Sequence, residues 1–558
     1  MNAHPRPYWY LENFNLALDW LRDRYRELLA QEERRFMADF GRLRTESAAL
    51  VVRMIMRQGD LFRTSKLNYG EIGCPRTAAA PLVELGWLDP RPVVSFPSLC
   101  RILRKAEICS ALGLEGAARA VRKAELVPLL GEAAAEARAL EDWWPQAPDS
   151  LFQVKITALC ERLRLMFFGN FHQTWSEFVL ADLGIFRYEQ ICLDESARAF
   201  QTRAQIEQFH AIYRCRELMS AAAPLEEVRA AVPSPLPGAT GTWIEAKRAK
   251  LLFHIGQLYE KAPDLPRALA LYCECGHPEA RIRSVRVLEK LERLHEATAL
   301  LAEIRKNPAS ELETQLSARI MPRLNRKLHG STPEPQEQAP LTRATQPTWA
   351  HLELELPYPN PPQRVELVVS EHMSTPEAPV VYVENTLLNS LFGLLCWDAI
   401  FAPLPGAFFH PFHAAPADLL EPEFPQRRTR QFAACLAQLE SNAYRDTILH
   451  TFATKAGIQS AFVFWGALTR PLLELALNCI PAPHLQLIFA RLLADIRANR
   501  SGLPDLIQLW PAERRYRLIE VKGPGDRLQD NQLRWLSFCR AHEISVCVCK
   551  VTWRAETA

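Results

Sequence analysis

The residues best suited to chemistry lie in GLPDLIQLWPAERRYRLIEVKGPGDRLQDNQLRWL, Gly502 to Leu536. Asp505 opens an apolar run, and Glu520 and Lys522 stand near the end of the next one. Charge inside strand-like segments is costly unless something pairs with it. Leu506–Trp510 (LIQLW) reads as a short strand, PAERR as a turn, and Tyr516–Lys522 (YRLIEVK) as a second strand that GPG ends. Alternation puts Glu520 and Lys522 on one face and Ile519 and Val521 on the other. If the strands close as a hairpin over about four or six residues, Asp505 falls opposite Glu520, with β-carbons about 5 Å apart. Two carboxylates that close repel, so one stays protonated or a cation sits between them. Oxygen ligands without paired Cys or His favour Mg2+ or Mn2+. Leu518 shares the face of Glu520 and confines the polar patch to the strand end, while Pro504 blocks a helix from running into Asp505. An ammonium at such a site orients the attacking water and stabilises a phosphorane-like transition state. This acid–acid–lysine set suits phosphodiester hydrolysis. An isolated E-x-K is more often a surface salt bridge, but the flanking G-x-P-D and G-P-G-D-R-L weigh toward the site.

The elements that would position these residues fill the C-terminal part of the chain. Asn531–His542 has helical spacing of Leu533, Leu536 and Cys539, and Ile544–Val551 reads as a third strand in which Cys547 and Cys549 act as small strand hydrophobes. LELELP and RVELVVS alternate with a period of two, predicting a hairpin or sheet edge. Glu384, in YVENTLLNSLFGLLCW, precedes a leucine stripe of helical period and would sit in the first turn of a buried helix.

Upstream the chain reads as helical, in parts. The predicted organisation is an N-terminal helical domain over residues 1–95, a helical DNA-binding region over 96–240, a helical repeat region over 241–329, a Pro-rich polar linker over 330–349, and the α/β domain over 350–558. ICSALGLEGAARAVRKAELVPLL, Ile108 to Leu130, resembles a SAP-type helix-turn-helix, with Arg119, Arg122 and Lys123 as its DNA-facing basic residues; a plain helical hairpin is the alternative. IGQLYEKAPDLPRALALY lies over SVRVLEKLERLHEATALL at an offset of 29 residues, matching Glu260, Lys261, Leu265 and Ala268 to Glu289, Lys290, Leu294 and Ala297. This predicts a tetratricopeptide-like array, with a non-repeating bundle as the alternative. His172, Trp175, His410 and His413 read as packing or surface residues, and Cys273, Cys275 and His277 fit no standard zinc spacing.

With 558 residues, a net charge of +2 and 48% hydrophobic residues, the chain reads as an ordinary multidomain globular protein. The total charge neither demands nor excludes nucleic acid, because local patches decide binding. No apolar stretch reaches the ~20 residues that span a bilayer. The polar, aromatic start and 14 scattered cysteines predict a reduced, cytoplasmic setting.

PD at Pro504–Asp505 followed by E-V-K at Glu520–Lys522 resembles the PD-(D/E)-x-K nucleases. The fuller string resembles their VRR-NUC branch. With its SAP-like and tetratricopeptide-like half, the chain resembles the Fanconi-associated nuclease family. The fold class expected is therefore multidomain: mainly α-helical in the N-terminal two-thirds, with a C-terminal α/β restriction-endonuclease-like domain. The resemblance implies a divalent-metal-dependent, structure-selective DNA nuclease that cuts 5′-flap and branched DNA, degrades 5′ to 3′, and acts in interstrand crosslink repair. It implies metal ligands at Glu384, Asp505, Glu520 and the Val521 carbonyl, Lys522 as catalytic lysine, Gln532 in support, and Arg497 on a substrate phosphate. Asn531 stands where the family has a further basic residue, which leaves a full 5′-phosphate pocket open. The long extension with a ubiquitin-binding zinc finger found in animal members is not evident, so a bacterial-type, nucleoid-associated protein is expected (nuclear if eukaryotic), acting as a monomer or a DNA-induced dimer. A Holliday-junction resolvase and a non-catalytic helical scaffold are the rival expectations.

Overall fold

The computed structural model describes residues 7–57, 59–113, 122–123, 136–170, 172–175, 187–192, 194–238, 242–329 and 349–554. It divides into two units, Met1–Ile185 with Phe200–Ile206, and Phe186–Ala199 with Glu207–Ala558.

In the first unit, helices Trp9–Tyr25, Gln31–Phe40, Thr45–Ile55 and Pro75–Glu84 carry the apolar faces expected from the sequence. They accompany a small antiparallel sheet in which Leu151–Val154 lies between Leu61–Arg63 and Leu88–Asp89. Residues past position 95 thus complete a sheet begun before it. Trp175 is buried against Phe14, Phe167 and Phe168, and His172 is exposed, as a packing and a surface role require. In the SAP-like stretch, helix Lys105–Ala111 ends before Gly113, whose φ of +61° supplies the turn. Arg119 lies outside the described residues. Arg122 is exposed, and Lys123 Nζ donates to the Leu103 carbonyl at 2.8 Å.

The second unit begins its repeat region with helices Trp243–Lys261, Leu265–Glu274, Ala280–Lys290, Leu294–Lys306 and Glu311–His329. Lys261 and Lys290 end the first helix of each pair, and Leu265 and Leu294 begin the second, so the 29-residue offset read from the sequence superposes element on element. Ala268 and Ala297 are both fully buried at the equivalent helix contact. Gly256 lets the first pair close: a Cβ there would come within 2.7 Å of the Tyr272 ring. The last helix is joined to the C-terminal domain by paired charges, Glu311 with Arg491 and Arg319 with Asp530.

The C-terminal domain is built on a five-stranded mixed sheet. Its elements are β1 (Ala350–Leu356), α1 (Val365–Met373), β2 (Val380–Tyr382), α2 (Leu387–Leu395), β3 (Leu506–Trp510), β4 (Arg515–Lys522), α3 (Asp530–Ala541) and β5 (Val546–Trp553). The strand order is β1-β5-β4-β3-β2, with β5 parallel to β1 and β4, and the other pairs antiparallel. One face carries Ile507, Leu509, Tyr516 and Leu518 into a large core with α2 and Trp535 of α3. The other carries Leu506, Ile519, Val521, Cys547 and Cys549 against Val369 of α1. LELELP forms edge strand β1 as expected, but RVELVVS corrects the period-two expectation: it is helix α1. Val365, Val368 and Val369 recur at helical spacing and pack on the sheet, a pattern too short for alternation to distinguish from a strand.

Gly502 precedes β3 with φ +84°, and a Cβ there would meet Asn531 at 2.8 Å, where α3 begins. Both the backbone conformation and the approach of α3 exclude a side chain. Gly502→Ala is expected to lower stability by more than about 1 kcal/mol, measured as a fall in the denaturant midpoint with an unchanged m-value.

Candidate active site

The hairpin between β3 and β4 turns over four residues, Pro511–Arg514, and pairs Leu506 with Ile519 through Trp510 with Arg515. Continued by one residue, that register sets Asp505 opposite Glu520, as the sequence predicts. Arg514, at φ +51°, absorbs the reversal. On the far side of β3, the Val383 N–H donates to the Asp505 carbonyl at 2.8 Å, which carries the β2 ladder up to Glu384.

Asp505 and Glu520 are both buried, 5% and 0% exposed. Asp505 Oδ2 accepts from the Val521 N–H at 2.7 Å, which orients its carboxylate across the end of β4. Lys522 Nζ lies 2.8 Å from Glu520 Oε1, and the other Glu520 oxygen, Oε2, has no hydrogen-bond partner. Burial pushes the Asp505 carboxyl up to about 6, against the opposing pull of the Val521 N–H and Lys522. Burial, and then the charge of Asp505, push Glu520 up to about 8, and Lys522 offsets this only in part. Glu384 adds negative potential at both, and Glu366, at the start of α1, adds it at Asp505.

Glu384 does not sit in the first turn of the helix, as the leucine stripe implied. It lies in the loop before α2, because Asn385 adopts a left-handed φ of +51° that interrupts helical backbone before Leu387. Its Oε1 accepts from Asn385 Nδ2 at 3.2 Å and its Oε2 from the Tyr382 hydroxyl. Among the described residues, no three His, Cys, Asp or Glu side chains are already gathered as a metal cage. What the site offers a cation is a buried carboxylate whose charge Lys522 offsets only in part, beside a second carboxylate, an arrangement that oxygen-seeking divalent ions relieve.

The other expected residues lie further off or serve the frame. Gln532 Oε1 accepts from the Gln529 N–H at 2.9 Å, so it caps the start of α3. Arg497 is exposed, donates to the Leu420 carbonyl at 3.2 Å, and lines a cavity of about 240 Å³ with Lys250 and His277. Cys275 is buried and His277 stacks on Phe253, which accounts for that pair by packing. The His410 and His413 rings pack against each other at 4.1 Å in a tilted arrangement, with His410 buried and His413 partly so. Sequence reasoning missed Tyr382, Asn385 and Glu366. The first two flank Glu384 directly, and the third was hidden by taking RVELVVS as a strand.

The VRR-NUC domain family matches residues 439–553, the FAN1 HTH domain family residues 8–89, and the Fanconi anemia-associated nuclease SAP domain family residues 96–143. A Fanconi-associated nuclease 1 homolog of Pseudomonas aeruginosa is 49% identical over 99% of this chain and 97% of its own length. This chain belongs to the Fanconi-associated nuclease family. A homolog from Arabidopsis thaliana is 23% identical over 99% of this chain and 68% of its own. A crystal structure of paFAN1 bound to 5′-flap DNA with a gap superposes with a TM-score of 0.88, at 48% identity, covering 99% of this chain and all of that one. The protein is accordingly a DNA nuclease of the bacterial type, with the helical N-terminal region and mixed-sheet nuclease domain of its relatives. The nuclease domain implies divalent metal dependence.

Both carboxyls hold protons more tightly in the folded chain than at the ordinary value of about 4. Their contribution to metal-free stability is therefore complete below about pH 4 and lost as pH rises through about 6 and then about 8. In a chelator, stability should fall from about pH 4 to about pH 8, and the double variant Asp505→Asn, Glu520→Gln should flatten that slope. Denaturant titration at each pH measures it. An equal slope in both proteins would place the repulsion elsewhere.

Proposed function

We propose that this nuclease is structure-selective: it cuts branched DNA near a 5′ flap, trims 5′ to 3′, and serves interstrand crosslink repair. The observation that carries the catalytic part is the convergence of buried Asp505 and Glu520 at the end of one sheet face, with the Lys522 ammonium beside them. Asp505, Glu520, Glu384 and the Val521 carbonyl are the proposed ligands of Mg2+ or Mn2+. When bound, such an ion neutralises the phosphate under attack and favours deprotonation of water.

The chain's own residues do the remaining work. The Val521 N–H holds one Asp505 oxygen and so fixes the orientation of the carboxylate. Lys522, whose ammonium lies 2.8 Å from Glu520 Oε1, is placed to orient the attacking water and to meet developing negative charge on the phosphate. Leu518 and the apolar face below keep bulk water from the base of the site.

Arg497 is the proposed contact to a substrate phosphate. It lies with Lys250 and His277 around one cavity, where burial, and then the charges of Lys247 and Arg497, lower the Lys250 pKa. Glu245, Glu274, Glu421 and Glu423 also line that cavity and moderate its pull on an anion. Arg122, and Arg119 with it, are proposed to grip duplex phosphates with little base reading. Lys123, whose Nζ donates to the Leu103 carbonyl, is the third proposed phosphate contact. The 5′-flap DNA bound to paFAN1, a relative at 48% identity, supports the flap as substrate here.

A labelled panel of flap, fork, four-way junction, single strand and duplex, with Mg2+ or Mn2+, tests this proposal. The flap should be cut fastest, and Asp505→Ala or Lys522→Ala should lower kcat by at least about a hundredfold with little change in DNA affinity. Preferred, symmetric cleavage of the four-way junction would favour a resolvase. Full activity of Asp505→Ala would remove the catalytic assignment. Arg497→Ala should weaken flap binding and reduce the salt slope of log Kd by about 1, read by fluorescence anisotropy.

A further inference from the structure

Backbone pairing brings the two ligand-bearing segments together, but it does not choose where the Glu384 carboxylate points. The Val383 N–H bonds the Asp505 carbonyl at 2.8 Å, and Glu384 follows at once. Beyond that bond the strands part, and a glutamate with three side-chain torsions is free to swing unless held. Two neutral groups hold it. The Tyr382 hydroxyl donates to Oε2, and Asn385 Nδ2 donates to Oε1 at 3.2 Å.

Asn385 also reaches the other segment. Its Oδ1 accepts from the N–H of Leu503, two residues before Asp505, at 3.2 Å. That bond settles the amide orientation, because only Oδ1 can accept from Leu503 and only Nδ2 can then donate to Glu384. The residue's own carbonyl accepts from Asn389 Nδ2 at 2.8 Å, and the same amide donates to the Arg500 carbonyl at 2.9 Å. The Glu384 loop is thus tied twice to the 500–503 segment that leads into Asp505. The φ of +51° at Asn385 aims its side chain at both partners, and asparagine is among the few residues with a side chain that take this conformation readily.

The neutrality of the clamp matters. An arginine or lysine would fix Glu384 equally well but would cancel the charge a cation needs.

We propose that Tyr382 and Asn385 are positioning residues, a neutral clamp that sets the Glu384 carboxylate at a fixed spacing from Asp505 for divalent-cation binding. The inference rests on the proposed ligand roles of Glu384 and Asp505. It is tested on the full chain without DNA, by titrating Mn2+ and following the free ion by electron paramagnetic resonance. Asn385→Gly keeps the left-handed backbone and removes both side-chain bonds. It should raise the Mn2+ Kd about tenfold or more, with a chelator-treated melting temperature close to that of the parent. Tyr382→Phe removes one bond to Glu384, leaves the Leu503 link intact, and should raise the Kd severalfold. In the flap assay both should lower kcat with KM for DNA unchanged.

Glu384→Ala and Asp505→Ala separate the ligand roles from the clamp. If both bind Mn2+ like the parent, the ligand assignment fails and the clamp with it. If they lose Mn2+ while Asn385→Gly and Tyr382→Phe keep parental affinity, the ligands stand and the clamp is overturned. If Asn385→Gly does not fold, Tyr382→Phe decides alone, and an unchanged Kd overturns the proposal.

Discussion

The repulsion between two buried carboxylates, Asp505 and Glu520, is the constraint around which the nuclease domain is arranged. Apolar packing beneath them withdraws the solvent that would normally stabilise their charge, and the hairpin register holds them opposite each other. Neither can move away without breaking the β3–β4 ladder. Lys522, on the same face, pairs with one Glu520 oxygen and leaves the other without a partner. A group of this kind is costly to a folded chain, and its cost becomes useful only when a cation arrives. The site is thus held in readiness by the same core that makes it unfavourable when empty.

Holding that strain requires a rigid frame, and the frame is visible in the neighbouring contacts. The start of α3 lies against Gly502, and Trp535 of α3, itself fully buried, donates to the Asn499 carbonyl at 3.1 Å. Gln529 and Gln532 cap the same helix. On the opposite side the β2 ladder carries Glu384 to the level of Asp505. Three separate parts of the sequence, residues 382–389, 499–505 and 518–535, therefore converge on a few ångströms of space. The parts that bear charge are short, and the parts that fix them are apolar or neutral. This division lets the frame resist the repulsion without neutralising it.

The helical region of the same unit makes a different use of charge. Its helices meet through small residues such as Ala268 and Ala297, and its last helix is joined to the nuclease domain through Glu311–Arg491 and Arg319–Asp530. Positive residues that the sequence scatters over 250 positions, Lys250 and Arg497 among them, come to line one cavity. The net charge of +2 does not reveal this grouping, nor that Glu245, Glu274, Glu421 and Glu423 line the same cavity.

What could be learned from the chain alone was set by local physics. Strand alternation placed Glu520 and Lys522 on one face, the four-residue turn placed Asp505 across from Glu520, and an offset of 29 residues announced paired helices with equivalent ends. Each is a consequence of backbone geometry over a few residues. RVELVVS escaped this logic, since a short apolar run fits two periods and only its docking on the sheet chose the helix. Glu384 escaped it too: its position depends on a left-handed Asn385 whose conformation is stabilised by Leu503, over a hundred residues away. The sequence by itself thus determined which residues would do the chemistry and which strand faces carry them. Tertiary structure alone decided how far those groups are buried, which neutral neighbours hold them and which basic side chains share a cavity, because burial and long-range hydrogen bonds exist only once distant segments have packed.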